Sequence, residues 1–432
     1  MQLRQSGRPA DSLRQAAGER RRQREPYNQS SNQSSNQSRN QSRKDWIHSS
    51  TVFALAIFFV VNGCLALAAT IHSARSKNVD QNGVWQTIES ALEQYRAGPR
   101  PAIVLLGSSL VMSPLWTADF KRFSGVADFY RHHRSYLLER NLEALASRKR
   151  QNGKSDKCRV FSFAVPGAMV SDMDLILGKV LVGPRKPDLV VYGVAPRDFM
   201  DDLAGSETKT VVFQKLGDVG DLSKSNFADT SIDEKLELVV NKMFYLFGKR
   251  TRYQAKTDSF LRKIAHQSAR DSTDQLLAAA NANICPLFQD RKILWQKSLD
   301  EYRMRYQRFN QLQYRKQQAF LQDLLATCHK NDIAILLVNM PLTRANLDLM
   351  PPGQYENYLS MLRECAKRND VSLVDLHSDQ YPDLSFYDTV HLNDEGAQTF
   401  LSTLSQAICR EQDRAAQIRA VQSVASKQKA LY

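Results

Sequence analysis

Five short apolar runs constrain this chain more than any other feature: Ala102 to Leu106, Val160 to Val165, Leu189 to Tyr192, Ile333 to Asn339 and Val371 to Leu376. None of them alternates apolar with polar residues, so each reads as a strand covered on both faces. Between them lie amphipathic stretches such as Arg134 to Arg148 and Tyr355 to Arg368, with a shorter helix near Val84 to Tyr95. Strands alternating with helices predict an α/β fold with a doubly wound, parallel five-stranded sheet. Residues 201–330 interrupt the rhythm and predict a helical insertion between the third and fourth strands. Ser231-Ile232-Asp233-Glu234 is a capping box before a helix bearing Leu236, Val240, Met243 and Phe247. One long helix is expected to carry Tyr302, Tyr306, Phe309, Phe320 and Leu324 on one side.

The amino-terminal part has a different composition. Residues 1–46 hold almost no large apolar side chains and repeat Asn-Gln-Ser four times, at Asn28, Asn32, Asn36 and Asn40, so they are expected to be disordered. Thr51 to Ile71 is 21 residues without a formal charge. At about 1.5 Å per residue such a run covers the roughly 30 Å hydrocarbon core of a bilayer, which predicts a transmembrane helix over 47–72. Ten Lys/Arg against four acidic residues in the preceding tail place the amino terminus in the cytoplasm. The expected organisation is then a stalk over 73–99, a main domain over 100–410 outside the cell membrane and a tail over 411–432. The small residues Ala66, Ala68 and Ala69 leave a cleaved leader as the competing reading. The four sequons formed by the repeats all lie in the tail and none follows the apolar run, which favours a bacterial periplasm for the main domain.

The net charge of +14 does not point to nucleic acid. Six of those charges sit in the tail, where membrane orientation accounts for them, and the chain has no zinc-finger spacing, Walker loop or aromatic RNA-binding block. The six cysteines show no metal spacing, so no metal and no cofactor is expected. An extracytoplasmic domain allows one or two disulfides, with Cys328, Cys365 and Cys409 near helix ends as the favoured partners, and buried free thiols are the alternative.

Two segments carry chemistry. Ile103 to Leu110 runs as a strand into Gly107-Ser108-Ser109, and Phe386 to Leu392 puts Asp388 three residues before His391. A serine hydroxyl becomes a nucleophile only when a neutral imidazole takes its proton, and a carboxylate on Nδ1 holds the imidazole in the useful tautomer. Ser109, His391 and Asp388 are therefore the candidate nucleophile, base and orienting group. The bland alternatives are a serine turn and helix cap at 107–109 and an ordinary surface histidine at 391. His132 and His133, in an arginine-rich stretch, read as solvated, and His377 lacks a carboxylate three residues before it.

Gly107-Ser108-Ser109-Leu110 resembles the Gly-Asp-Ser-Leu block of the SGNH/GDSL hydrolases, and Asp388-Thr389-Val390-His391 resembles their terminal Asp-x-x-His block. Val165-Pro166-Gly167 is similar to their glycine block, and Gly193-Val194-Ala195 falls where they have Gly-x-Asn. The resemblance spans roughly residues 100–410 and implies a flavodoxin-like sheet with a Ser-His-Asp triad. It also implies an oxyanion hole built from the amides of Ser109 and Gly167. Its third donor, an asparagine side chain, is Ala195 here, and Arg197 is the candidate replacement, with an ion pair to Asp201 or Asp202 as the alternative. Membrane-tethered proteins of this kind resemble the partners of polysaccharide O-acetylation and teichoic-acid D-alanylation machineries. That likeness implies an esterase or O-acyltransferase acting on an envelope glycan or acylated carrier beside a membrane-bound O-acyltransferase. A binding or scaffold module without turnover and a lipid hydrolase are the competing functions.

Overall fold

The computed structural model describes residues 50–64, 83–126, 128–149, 158–203, 206–223, 232–243, 290–378 and 380–429. The chain divides into two units, Met1–His72 and Ser73–Tyr432. In the first, residues 50–64 are helical, and Asn62 satisfies its amide by donating to the carbonyl of Phe58 one turn back (2.8 Å). No helix among the described residues is long and apolar enough to cross a membrane. The expected span continues past residue 64 into 65–72, and that part lies outside the described residues, as does the tail expected to be disordered.

The second unit is built on five parallel strands: β1 (Ile103–Leu106), β2 (Val160–Ser162), β3 (Leu189–Val194), β4 (Ala334–Asn339) and β5 (Ser372–Asp375). Their order is β2-β1-β3-β4-β5. All five runs read from the sequence are strands, with ends shifted by a few residues. In β1 to β3 every side chain is buried, as unalternated apolar runs require. The winding reverses at β1, whose two neighbours are β2 and β3. A crevice therefore opens at the carboxyl ends of these strands, where the chain turns into its next helices.

The helices that matter for the site are α1 (Gly83–Ala97), α2 (Ser109–Phe120), α3 (Tyr136–Lys149), α4 (Val170–Ile176), α5 (Arg197–Met200), α6 (Arg291–Arg305), α7 (Gln311–Lys330), α8 (Gln354–Arg368) and α9 (Asp394–Lys429). Three expectations about organisation change. The stalk region contains α1, whose Ile88, Ala91 and Tyr95 are buried in the core, so residues 83–97 belong to the domain. The tail after 410 is the continuation of α9, and Glu411 is buried against Ser372 of β5.

The expected long helix is two helices, α6 and α7, broken at Tyr306–Asn310. Asn310 has non-helical φ/ψ and its side chain accepts from the amide of Gln313 (3.1 Å), which starts α7. The break lets the two halves cover different parts of the domain. α7 buries Phe320, Leu321, Leu324 and Leu325 against the sheet and α4, so it is the crossover helix from β3 to β4 rather than part of an insertion. A helix does follow the capping box, at Ile232–Met243, while Ser231 and Phe247 lie outside the described residues.

Candidate active site

The nucleophile turn follows from packing. Gly107 has φ +151°, and a Cβ there would lie 2.5 Å from Val111 and 2.8 Å from the carbonyl of Gly193. A Cβ at Gly193 would lie 2.3 Å from the same Val111. The two glycines let α2 drop onto β3 immediately after β1 ends, and this sets Ser109 as the first residue of that helix. The backbone amide of Ser109 is then one of the unsatisfied donors at the positive end of a twelve-residue helix.

His391 arrives from the loop between β5 and α9. An antiparallel bridge between Phe386 and Leu392 pinches this loop, and the Tyr387 amide donates to the carbonyl of His391 (3.1 Å). Inside it, Oδ1 of Asp388 accepts from the amides of Val390 (2.8 Å) and His391 (2.7 Å). Its other oxygen, Oδ2, lies 2.6 Å from His391 Nδ1, and His391 Nε2 lies 2.9 Å from Ser109 Oγ. Burial pulls the His391 imidazole down, but the charge and hydrogen bond of Asp388 outweigh it, and the pKa rises above 6.5. The structure thus joins the three candidate residues in one line, carboxylate to imidazole to hydroxyl.

Sequence reasoning did not find what holds the loop. Tyr387 lies parallel to the imidazole of His391 (centroids 5.6 Å apart, 8° between planes), and its hydroxyl meets Ser113 Oγ of α2 at 2.7 Å. Thr389, fully buried, reaches the other way, with its Oγ1 2.5 Å from Ser298 Oγ of α6 and within 3.3 Å of Asn346 Nδ2. Arg291 of α6 donates to the carbonyls of Phe386 (3.0 Å) and Asp383 (2.7 Å). Ser113 was within reach of a sequence argument, since it lies one helical turn beyond Ser109. Ser298 and Arg291 are remote in sequence from the loop and carry no such signal.

Gly167 turns the chain after β2 with φ +76°. Its carbonyl and that of Ala168 accept from Arg197 at 2.8 Å each. The same guanidinium binds Oδ2 of Asp201 through Nε (2.9 Å) and Nη2 (2.8 Å), and Nη1 also reaches Asp198 at 3.5 Å. Each of the three nitrogens of Arg197 has an acceptor, and the side chain is 94% buried. This corrects the expectation that Arg197 serves the oxyanion: it is a buried latch tying the glycine turn to the end of β3. The pair with Asp201 is present, though buried rather than at the surface, and Arg305 of α6 completes it from the far side. Ala195 is buried and offers no side-chain donor, while its amide is taken by Asp198 Oδ2 (3.0 Å).

Two further expectations are corrected. His132 and His133 are buried, not solvated. His132 Nε2 meets Asp119 Oδ2 at 2.9 Å, while His133 lies between Ser90 Oγ (2.5 Å) and the carbonyl of Ser162 (3.1 Å). None of the five described cysteines is in a disulfide, with Cys328 and Cys365 buried and Cys409 partly so. Cys285 lies outside the described residues. Among the described residues no cluster of His, Cys, Asp or Glu is placed to hold a metal.

A protein-family model matches residues 291–412, the stretch from α6 through the Asp388–His391 loop into α9. No curated protein matches the chain. Among solved structures it is similar to an alpha/beta hydrolase enzyme from the metagenome of Lake Arreo, Spain, at 14% identity and a TM-score of 0.31. That match covers 70% of this chain and 93% of the other.

Proposed function

We propose that this chain is a serine esterase or O-acyltransferase of the SGNH type, with Ser109 as nucleophile, His391 as general base and Asp388 as the group that orients it. The observation that carries the reading is the hydrogen-bonded line from Asp388 through His391 to Ser109 at a topological switch point of the sheet. Ser109 Oγ attacks the ester carbonyl carbon as its proton passes to His391 Nε2. The tetrahedral oxyanion then collapses, and the departing alkoxide takes that proton. Water, or a sugar hydroxyl, attacks the acyl-Ser109 in the same way, and its acyl bond replaces the serine ester. During the attack, the Ser109 amide at the start of α2 supports the oxyanion.

The substrate class we propose is an O-acyl, in particular O-acetyl, group on a cell-envelope glycan. The chain would be held at the membrane by residues 51–71 with its main domain outside. The uncharged run, the basic tail before it and the four ordered sequence blocks support this. Ala195 favours a second reading, a glycan-binding scaffold that keeps the fold, because loss of one oxyanion donor typically costs on the order of 10²- to 10³-fold in rate. A fluorophosphonate separates the two. The enzyme reading expects covalent labelling of Ser109 in the unaltered protein and its loss in Ser109→Ala and His391→Ala. A folded protein that binds the polymer but takes no label is the scaffold. Reporter fusions after Lys44 and after Tyr432 test the topology and should lie on opposite sides of the membrane.

A further inference from the structure

We infer that Tyr387 and Ser113 form a second rung between the histidine loop and the nucleophile helix, which positions His391 against Ser109. The inference rests on the esterase or acyltransferase reading above. Ser109 and Ser113 are four residues apart on α2, so their side chains project from the same face one turn apart. His391 and Tyr387 face them from one pinched loop: His391 Nε2 meets Ser109 at 2.9 Å and the Tyr387 hydroxyl meets Ser113 at 2.7 Å. The loop and helix are therefore joined by two parallel polar contacts, of which only one does chemistry.

The second contact is built to be rigid. Ser113 is 1% exposed and Tyr387 9% exposed, so neither hydroxyl can exchange its partner freely for water. The Tyr387 ring, held at its far end by Ser113, lies within 8° of parallel to the imidazole and blocks rotation toward that side. Asp388 fixes the opposite edge of the imidazole from within the loop, but nothing in the Asp388 contact refers to α2. The Tyr387–Ser113 rung supplies that reference. Both are positioning residues, since neither touches the reacting atoms.

The test is a double-mutant cycle on the full chain. Tyr387→Phe keeps the stacked ring and removes the hydroxyl; Ser113→Ala removes the partner. Labelling by a fluorophosphonate and turnover of p-nitrophenyl acetate are followed with melting temperature. Displacement of a base by a fraction of an ångström predicts that each variant loses on the order of 10- to 100-fold in kcat with KM little changed. The double variant should lose no more than the larger single loss, because both remove the same contact. Unchanged kcat in the folded singles, or losses that multiply, would overturn the rung while leaving Ser109 labelled in the unaltered protein. Failure of the unaltered protein to label or turn over would instead remove the hydrolase reading, and the rung's catalytic meaning with it.

Discussion

His391, half-buried, and His133, buried, are the same residue type in two places of one domain, and their protons are held in opposite ways. His391 faces a carboxylate that has an oxygen to spare, since Asp388 uses Oδ1 for its own loop and offers Oδ2 to Nδ1. Its pKa rises in spite of burial. His133 faces a serine hydroxyl and a backbone carbonyl, neither of which carries charge. Burial, helped by the neighbouring His132, outweighs the hydrogen bond to the Ser162 carbonyl, and its pKa falls to about 4. Asp119 serves His132 instead, together with the amides of Tyr136 and Leu137 at the start of α3. Here a carboxylate partner lifts one imidazole, while neutral partners leave the other lowered.

The largest effect expected from this contrast is on turnover. His391→Ala or Ser109→Ala should lower kcat on the order of 10⁴- to 10⁶-fold, while His133→Gln leaves the folded protein's turnover where it was. Comparable losses at both histidines would erase the distinction. Asp388→Asn comes next, at on the order of 10⁴-fold, since the amide no longer enforces the tautomer. The same change should move the midpoint of the pH–rate curve down. In the unaltered protein, rate rises with pH through a point above 6.5, because His391 must be neutral to accept the serine proton.

Stability sharpens the comparison further. Arg197→Ala leaves Asp198 buried without its cation and Asp201 with Arg305 alone, and should cost about 3 to 5 kcal/mol in chemical denaturation. Burial pushes the Asp198 carboxyl up to about 6 even with Arg197 beside it, so that loss should ease as pH falls and Asp198 protonates. The two histidines should also tilt stability in opposite senses. His391, raised in the folded state, stabilises the fold at pH below 6.5, and that contribution is lost as pH rises through its folded pKa. His133, lowered from 6.5 to about 4, works the other way: the unfolded chain binds its proton first, so stability falls by about 3 kcal/mol as pH drops from 6.5 to 4. Denaturation curves of His133→Gln over that range should lack this part of the acid loss. An unchanged acid limb would show that other groups carry it.

The amino-acid sequence by itself determined the strands, because short apolar runs alternating with helices fit a parallel sheet covered by helices, although the edge strand β5 is only half-buried. It also determined that Ser109 lies just past a strand's carboxyl end and that Asp388 can reach His391, since both follow from spacing along a few residues. The Asn310 cap that splits α6 from α7 was present as a local signal, but the continuous apolar stripe across it reads as one helix until the sheet shows that the two halves cover different surfaces. What lay beyond local pattern was the disposition of charge and hydroxyls between segments far apart. Arg197 close to two acidic residues is consistent with an oxyanion donor or an ion pair, and only the approach of the Gly167 and Ala168 carbonyls, some 30 residues earlier, shows each of its nitrogens engaged. Ser113 and Tyr387, 274 residues apart, and Ser298 and Thr389, 91 apart, meet only when the chain closes on itself. A hydrogen bond depends on tenths of an ångström and on which partner is left over, and that is decided by packing of the whole domain rather than by residue type.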